Sequence, residues 1–315
     1  LRCHCRNPHG TTDGIIGPQN VQAMPRTLSQ ATLLHAGARL ATAIDARAEC
    51  RISRLVSSSN GPPPMHDKTF DYIILGAGPA GLQVAHFMKA AGMDYLVLEG
   101  GSGPGMFFRT FPRHRQLISI NKRYTGQHDP EVSLRMDWNS LLSENDRLLF
   151  RHYSERFFPH ADDMVRYLED FAAAGEFRIQ YDTRVEHVGR AGAFELRDQH
   201  GRRYTCRRLI VATGMSRPYV PDIPGFDLVE RYETVSVDPK DFIDQRVLII
   251  GKGNSAFETA DNLMDTTAWV HVAGPSAIKL AWKTHYVGHL RAVNNNLLDT
   301  YQLKSQNAVL DGHVV

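Results

Sequence analysis

DYIILGAGPAGLQVAHFMKAAGMDYLVLE, residues Asp71 to Glu99, decides the fold. Its opening run Tyr72-Ile73-Ile74-Leu75 is strand-like, and Gly76, Gly78 and Gly81 follow at once in G-x-G-x-x-G spacing. That spacing serves a tight turn, a close backbone approach to a pyrophosphate, and close packing of helix on strand. The next stretch has an apolar helical face in Ala80, Val84, Ala85 and Met88, predicted to be buried. Its N-terminus, opened by Pro79 and Ala80, offers backbone N–H groups and a favourable dipole to phosphate oxygens. A second strand, Tyr95 to Leu98, delivers Glu99, whose carboxylate can accept both hydroxyls of an adenosine ribose. A glycine-rich loop alone would say little; strand, turn, helix, strand and terminal acid in this order predict a nucleotide-binding βαβ unit.

The pattern recurs further on. Arg246 to Ile250 is an apolar strand, Gly251-Lys252-Gly253-Asn254-Ser255-Ala256 is a G-x-G-x-x-A turn, and Phe257 to Met264 is predicted to be helical. The strand expected next, Ala268 to Val272, runs out at Ala273-Gly274-Pro275, with neither an acid for a ribose 2′-hydroxyl nor an arginine for a 2′-phosphate. Lys279 is the nearest obvious cation, and the choice between NADH and NADPH stays open.

Between the two units lie a glycine-rich loop, Gly100 to Gly105, and the aromatic run Met106 to Pro112, suited to a flat ring laid against backbone. Arg113, His114 and Arg115 form a basic knot expected near the pyrophosphate. Residues 130–160 read as irregular. Ala161 to Ala174 reads as a helix, opened by Asp162 and Asp163 and striped by Met164, Tyr167, Leu168 and Phe171. From Phe177 to Cys206 the period becomes two, which predicts a small antiparallel meander with a turn at Asp198 to Gly201. Arg208 to Gly214 is expected as a buried strand whose small end, Ala212-Thr213-Gly214, lets a ligand approach closely. Pro218, Pro221, Pro224 and Gly225 mark a crossing between lobes. After Asn294 to Leu303 nothing is expected to return to a strand pattern.

Composition excludes several classes. The net charge of +2 over 315 residues is too mild to argue for nucleic acid. No apolar run reaches the roughly 18 residues of a membrane span. Four cysteines, at 3, 5, 50 and 206, make neither a disulfide scaffold nor a C-x-x-C pair, and Cys3-His4-Cys5 with His9 lacks metal-site spacing. No metal site is expected, since His285-x-x-x-His289 has Tyr286 where a zincin needs Glu. Cys206 reads as a core filler. Residues 1–67 read as a tail: Met24 to Leu55 has the composition of a transit-type presequence, against which Asp45 and Glu49 count, and Ser57 to Pro64 is a linker. The expected organisation is tail 1–67, an FAD-binding domain over 68–225 and an incomplete NAD(P)-binding domain over 226–315.

Two nucleotide units separated by a helix and a meander suit two cofactors held face to face, the first FAD and the second NADPH or NADH. Gly76-Ala77-Gly78-Pro79-Ala80-Gly81, Phe111-Pro112, Phe158-Pro159, Ala212-Thr213-Gly214 and Gly251-x-Gly253-Asn254-Ser255-Ala256 together resemble the flavoproteins with two dinucleotide-binding domains, near the flavin monooxygenases. PRHRQLISINKRYTG (112–126), RLLFRHYSERFFP (147–159), GNSAFETA (253–260) and LLDTYQLKS (297–305) are similar to the FAD-dependent oxidoreductase domain-containing proteins, endoplasmic-reticulum flavoproteins associated with degradation.

The resemblance implies an α/β fold with two Rossmann-like domains, truncated here at the C-terminus. It implies FAD contacts at Gly76, Gly78, Pro79, Ala80, Gly81, Glu99, Arg113, His114, Val185, Ala212, Thr213 and Gly214. It implies nicotinamide-nucleotide contacts at Gly251, Gly253, Asn254, Ser255 and Ala256, and makes Asn121 a candidate near the flavin. It further implies redox handling of misfolded proteins in the lumen of the endoplasmic reticulum, with partner proteins of that pathway. The final residues Asp311 to Val315 carry no retention signal, and cytoplasm or another organelle is the alternative. A flavin-binding adaptor with structural FAD is the competing reading, and an NAD-dependent dehydrogenase using only the second site a third.

Overall fold

Strand β1 (Thr69–Leu75) begins three residues before the apolar run, because Thr69 and Phe70 pair with Thr205 and Cys206 on a strand distant in sequence. The computed structural model describes residues 69–215, 218–284, 289–295 and 310–311. The leading tail with Cys3, His4, Cys5, His9 and Cys50, together with His285 and the stretches 296–309 and 312–315, lies outside the described residues.

After β1 come α1 (Pro79–Ala90), β2 (Tyr95–Leu98), the short α2 (Met106–Thr110) and α3 (Pro130–Met136), α4 (Ala161–Gly175), β3 (Ile179–Gln180), β4 (Val185–Ala191), β5 (Ala193–Asp198) and β6 (Arg203–Val211). They build one six-stranded sheet in the order β3-β2-β1-β6-β5-β4. The first four of these strands are parallel, and β5 and β4 run antiparallel beyond them. Successive residues of β1 point to opposite faces. Ile74 enters the core that α1 and α4 cover, with Leu82, Ala85, Tyr167, Leu168 and Phe171, while Ile73 and Leu75 enter the other with Leu196, Tyr204 and Cys206. Both faces of β1 are therefore buried, as a central parallel strand requires. The expected stripe of α4 is buried throughout, each large side chain contributing about 1.5–3 kcal/mol. A capping box at His160 and Asp163 starts this helix.

Several expectations are corrected. Phe177 to Tyr181 is not part of the meander: β3 pairs parallel with β2, Val97 opposite Ile179. A period of two identifies a strand but not its partner, and the β2–α4–β3 crossover returns the chain in its original direction. The meander is β4-β5-β6, and β6 unites what read as a meander strand and a separate buried strand. That second half is not fully buried, since Val211 is 67% exposed. On α1 the buried residues are Gly81, Leu82, Ala85 and Met88, with Ala80 exposed and Val84 partly buried. At 3.6 residues per turn Ala80 stands roughly 140° round the helix from Ala85. Residues 130–160 contain α3, started by the Asp129 carboxylate accepting the Glu131 N–H (2.9 Å) and by Pro130 in the first turn.

The second unit is β7 (Arg246–Ile250), α5 (Asn254–Leu263), β8 (Trp269–Gly274) and β9 (Leu310–Asp311), a parallel sheet in the order β7-β8-β9. Strand β9 corrects the expectation that no strand returns; two residues are too few to show periodicity. Phe257, Ala260 and Leu263 of α5 pack on Val270 and Val272 of β8. The described residues belong to a single compact unit. Among them no helix is long and apolar enough to cross a membrane, and no group of three His, Cys, Asp or Glu side chains could hold a metal ion.

Candidate functional site

The three glycines of the first turn meet different surroundings. Gly76 has φ +100°, and a Cβ there would come within 2.7 Å of the Ala212 carbonyl oxygen. A Cβ on Gly81 would fall 1.9 Å from the Gly76 carbonyl oxygen, so this glycine lets α1 lie on the turn. At Gly78 a Cβ would meet nothing within 4 Å. The open position is the one where a phosphate needs bare backbone.

Glu99 stands beside this turn. One carboxylate oxygen accepts the Ala77 N–H at 2.6 Å and the other the Gly101 N–H at 2.8 Å. A carboxylate has about four lone-pair sites, so both oxygens can still accept ribose hydroxyls. Ala212 packs against the glycine turn, its N–H donating to the Leu75 carbonyl (2.8 Å), while Thr213 and Gly214 are exposed beyond it. Val185 is half-buried at the start of β4. Asn121 is buried, its side-chain amide donating to the Ser154 carbonyl at 2.7 Å and its backbone N–H to the Phe157 carbonyl at 2.7 Å.

The basic knot turns toward the second unit. The Arg113 guanidinium donates to the carbonyls of Glu233 and Val235, and the Arg113 N–H to the Tyr232 hydroxyl (3.1 Å). Phe111 stacks on Tyr232 with ring centroids 6.1 Å apart. His114 Nε2 lies 3.1 Å from the Thr259 hydroxyl on α5. Burial, aided by the Arg113 charge, lowers the His114 pKa. Arg115 pairs with Asp162 at the start of α4. The knot joins the two nucleotide units through contacts more than a hundred residues apart in sequence.

In the second turn Gly251 has φ +129°, and its N–H donates to the Ala273 carbonyl at 2.7 Å. Neither helix that follows a glycine turn is capped by a side chain, and neither has an acid in its first turn. By contrast α3 is capped by Asp129 and α4 by His160. No side chain thus competes with a ligand for the first-turn N–H groups at the two glycine turns, although on α5 the Ala256 N–H donates to the Gly253 carbonyl at 3.1 Å.

Ser255 and Ala256 occupy the first turn of α5, with Ala256 buried against β8. The Asn254 side chain is engaged by the protein: Oδ1 accepts the Arg291 N–H (2.8 Å) and the Asn294 amide (3.0 Å), and Nδ2 donates to the His289 carbonyl (3.0 Å). Asn294 also bonds Glu258, a buried carboxyl whose pKa burial pushes up to about 7 despite that bond. Lys252, between the two glycines, extends its stem over Gly274, where a Cβ would come within 3.2 Å of Lys252 Cγ. Its Nζ donates to the Ser276 carbonyl at 3.1 Å. Tyr232, Glu258, Lys252 and Asn294 did not stand out in sequence as site residues. The local signals were that Lys252 lies inside the turn Gly251 to Ala256 and Glu258 inside the phrase GNSAFETA.

The sequence pattern of the pyridine nucleotide-disulphide oxidoreductases matches residues 73–315. The chain is 55% identical over 249 residues to FAD-dependent oxidoreductase domain-containing protein 2 of Mus musculus, covering 76% of this chain and 37% of that protein. The protein of the same name from Danio rerio is 50% identical, covering 78% of this chain and 36% of its own length. The chain therefore spans little more than a third of the curated relatives it matches. A flavin-containing monooxygenase from Stenotrophomonas maltophilia superposes with a TM-score of 0.61 at 19% identity, covering 77% of this chain and 70% of that one, a likeness of fold.

Proposed function

The chain belongs to the pyridine nucleotide-disulphide oxidoreductase family, flavoproteins with two dinucleotide-binding domains, and on that premise we propose that it is the nucleotide-binding part of an FAD-dependent, NAD(P)H-linked oxidoreductase. Residues 68–225 would hold FAD and residues 226–315 the nicotinamide nucleotide. The observation that carries this reading is the pair of uncapped helix N-termini, each behind a glycine turn, joined by one seam of Arg113, His114, Tyr232 and Thr259. The residues present fit FAD at the first turn: Gly78 leaves bare backbone for the pyrophosphate, the first turn of α1 supplies N–H donors, and Glu99 supplies acceptors for the ribose. FAD held there would supply the acceptor for a hydride from a reduced nicotinamide.

The chain's own residues supply binding and orientation. Residues 69–315 contain one cysteine, Cys206, buried in β6 with its thiol pushed up to about 11 by burial. A protein dithiol within that stretch is therefore no part of the electron path. The electron acceptor would then be oxygen, an organic substrate or a thiol/disulfide group outside residues 69–315.

The visible spectrum of protein reconstituted with FAD, followed by anaerobic mixing with NADPH or NADH, tests the proposal. Near-stoichiometric flavin that bleaches on mixing is the expected result. Flavin that binds but stays oxidised would instead indicate an adaptor with structural FAD, and turnover without flavin a dehydrogenase using the second site. The finer reading, redox handling of misfolded proteins in the endoplasmic reticulum lumen together with partners of that pathway, rests on the resemblance carried by residues 112–126, 147–159 and 253–260. Protease protection of the full-length protein in microsomes is its test; digestion without detergent would count against a lumenal place.

A further inference from the structure

The two βαβ units align position by position through their strand registers. Leu75 of β1 pairs with Leu98 of β2, and Ile250 of β7 pairs with Ala273 of β8. Gly76 donates its N–H to the Leu98 carbonyl as Gly251 does to the Ala273 carbonyl. Glu99 therefore corresponds to Gly274, and Ala77, between the first two glycines, corresponds to Lys252.

These corresponding pairs carry opposite charge. In the first unit the strand end holds a carboxylate that accepts the Ala77 N–H. In the second unit the strand end has no side chain, and the lysine of the turn lies across it. The stem of Lys252 occupies the space beside Gly274, and the Ser276 carbonyl holds its ammonium just past the end of β8. The described residues that follow directly, 275–282, contain Lys279 and no Asp or Glu, and across the sheet Gly274 is in register with Asp311 of β9. In folds of this kind a carboxylate at the strand end reads a ribose 2′-hydroxyl, and a cation there accommodates a 2′-phosphate.

We propose that Lys252 recognises the adenosine 2′-phosphate, making the second site selective for NADPH over NADH. The inference rests on the reading of that site as a nicotinamide-nucleotide site. The cation comes from the glycine turn, where the strand end itself has none to offer. The charge of the ammonium is what a dianionic phosphate reads, and its bond to the Ser276 carbonyl sets where that charge sits.

The test is calorimetric titration of the full chain, saturated with FAD, with adenosine 2′,5′-bisphosphate and with adenosine 5′-monophosphate. Wild type is expected to bind the bisphosphate roughly ten- to hundred-fold more tightly, the worth of a charged hydrogen bond. Lys252→Met is expected to bring that ratio close to one while leaving the monophosphate affinity unchanged, which also shows that the variant is folded. Lys252→Arg is expected to keep the preference. Equal affinities in wild type, failure of both nucleotides to bind, or a preference that survives Lys252→Met overturns the proposal.

Flavin bleaching by NADPH and NADH, followed in parallel, separates this inference from the oxidoreductase reading. Bleaching by both at equal KM overturns the role of Lys252 alone. Preferential bisphosphate binding without bleaching by either nucleotide supports Lys252 and removes hydride transfer.

Discussion

A methyl group added at Gly81 would lie 1.9 Å from the Gly76 carbonyl oxygen, whereas one added at Gly78 would meet nothing within 4 Å. Gly78 also has φ −76°, which alanine adopts without strain. Gly81→Ala is therefore expected to cost about 2 kcal/mol or more in stability, and Gly78→Ala almost none. Gly78→Ala should still lose bound flavin, because its methyl enters the space the pyrophosphate needs. Melting curves without FAD and flavin-to-protein ratios with it separate the two effects. Glu258 carries a pH signature. Its folded pKa of about 7 exceeds the ordinary 4.5, so below pH 4.5 it is protonated whether folded or unfolded and costs nothing. As pH rises from 4.5 to about 7 the unfolded chain ionises first, and stability is lost over that window. Glu258→Gln should thus gain relative to wild type across the same interval, by on the order of 2–3 kcal/mol at pH 7, in urea unfolding at several pH values.

Among elements, β2 and the buried stripe of α4 were legible because each is a local pattern with its own caps or bounds. The partner of β3 was not, since its direction depends on the helix that brings the chain back. The start of α3 was written in Asp129-Pro130-Glu131 but lay in a stretch with too few apolar residues to show a period. The Asn254 side chain ties the segment 289–294 to the start of α5, beside Leu290, which is buried in the core on that helix. Asn254→Ala leaves the Arg291 N–H, the Asn294 amide and the His289 carbonyl without that partner. The expected cost is about 2–4 kcal/mol, seen as a lower denaturation midpoint and faster amide exchange at Arg291.

Across the whole molecule, the first nucleotide unit meets the segment leading into the second at Arg113, and α5 of the second at His114. Arg113→Ala removes its guanidinium bonds to the carbonyls of Glu233 and Val235 and is expected to cost roughly 1.5–3 kcal/mol. Amide exchange over residues 231–235 should rise, and flavin bleaching should slow while flavin content holds, because the change falls on the join rather than on the first turn. In sequence Arg113 and His114 read as a basic knot for phosphate; in the structure they are bound to Tyr232, Glu233, Val235 and Thr259. The sequence by itself determined the two βαβ units, the glycine turns and the acid at Glu99, because each follows from spacing within about thirty residues of chain. Tertiary structure alone decided the order β3-β2-β1-β6-β5-β4, the seam at Arg113 and the crossing of Lys252 over Gly274. The physical reason is that these depend on which distant backbone groups come within hydrogen-bonding reach, and sequence spacing carries no record of that distance.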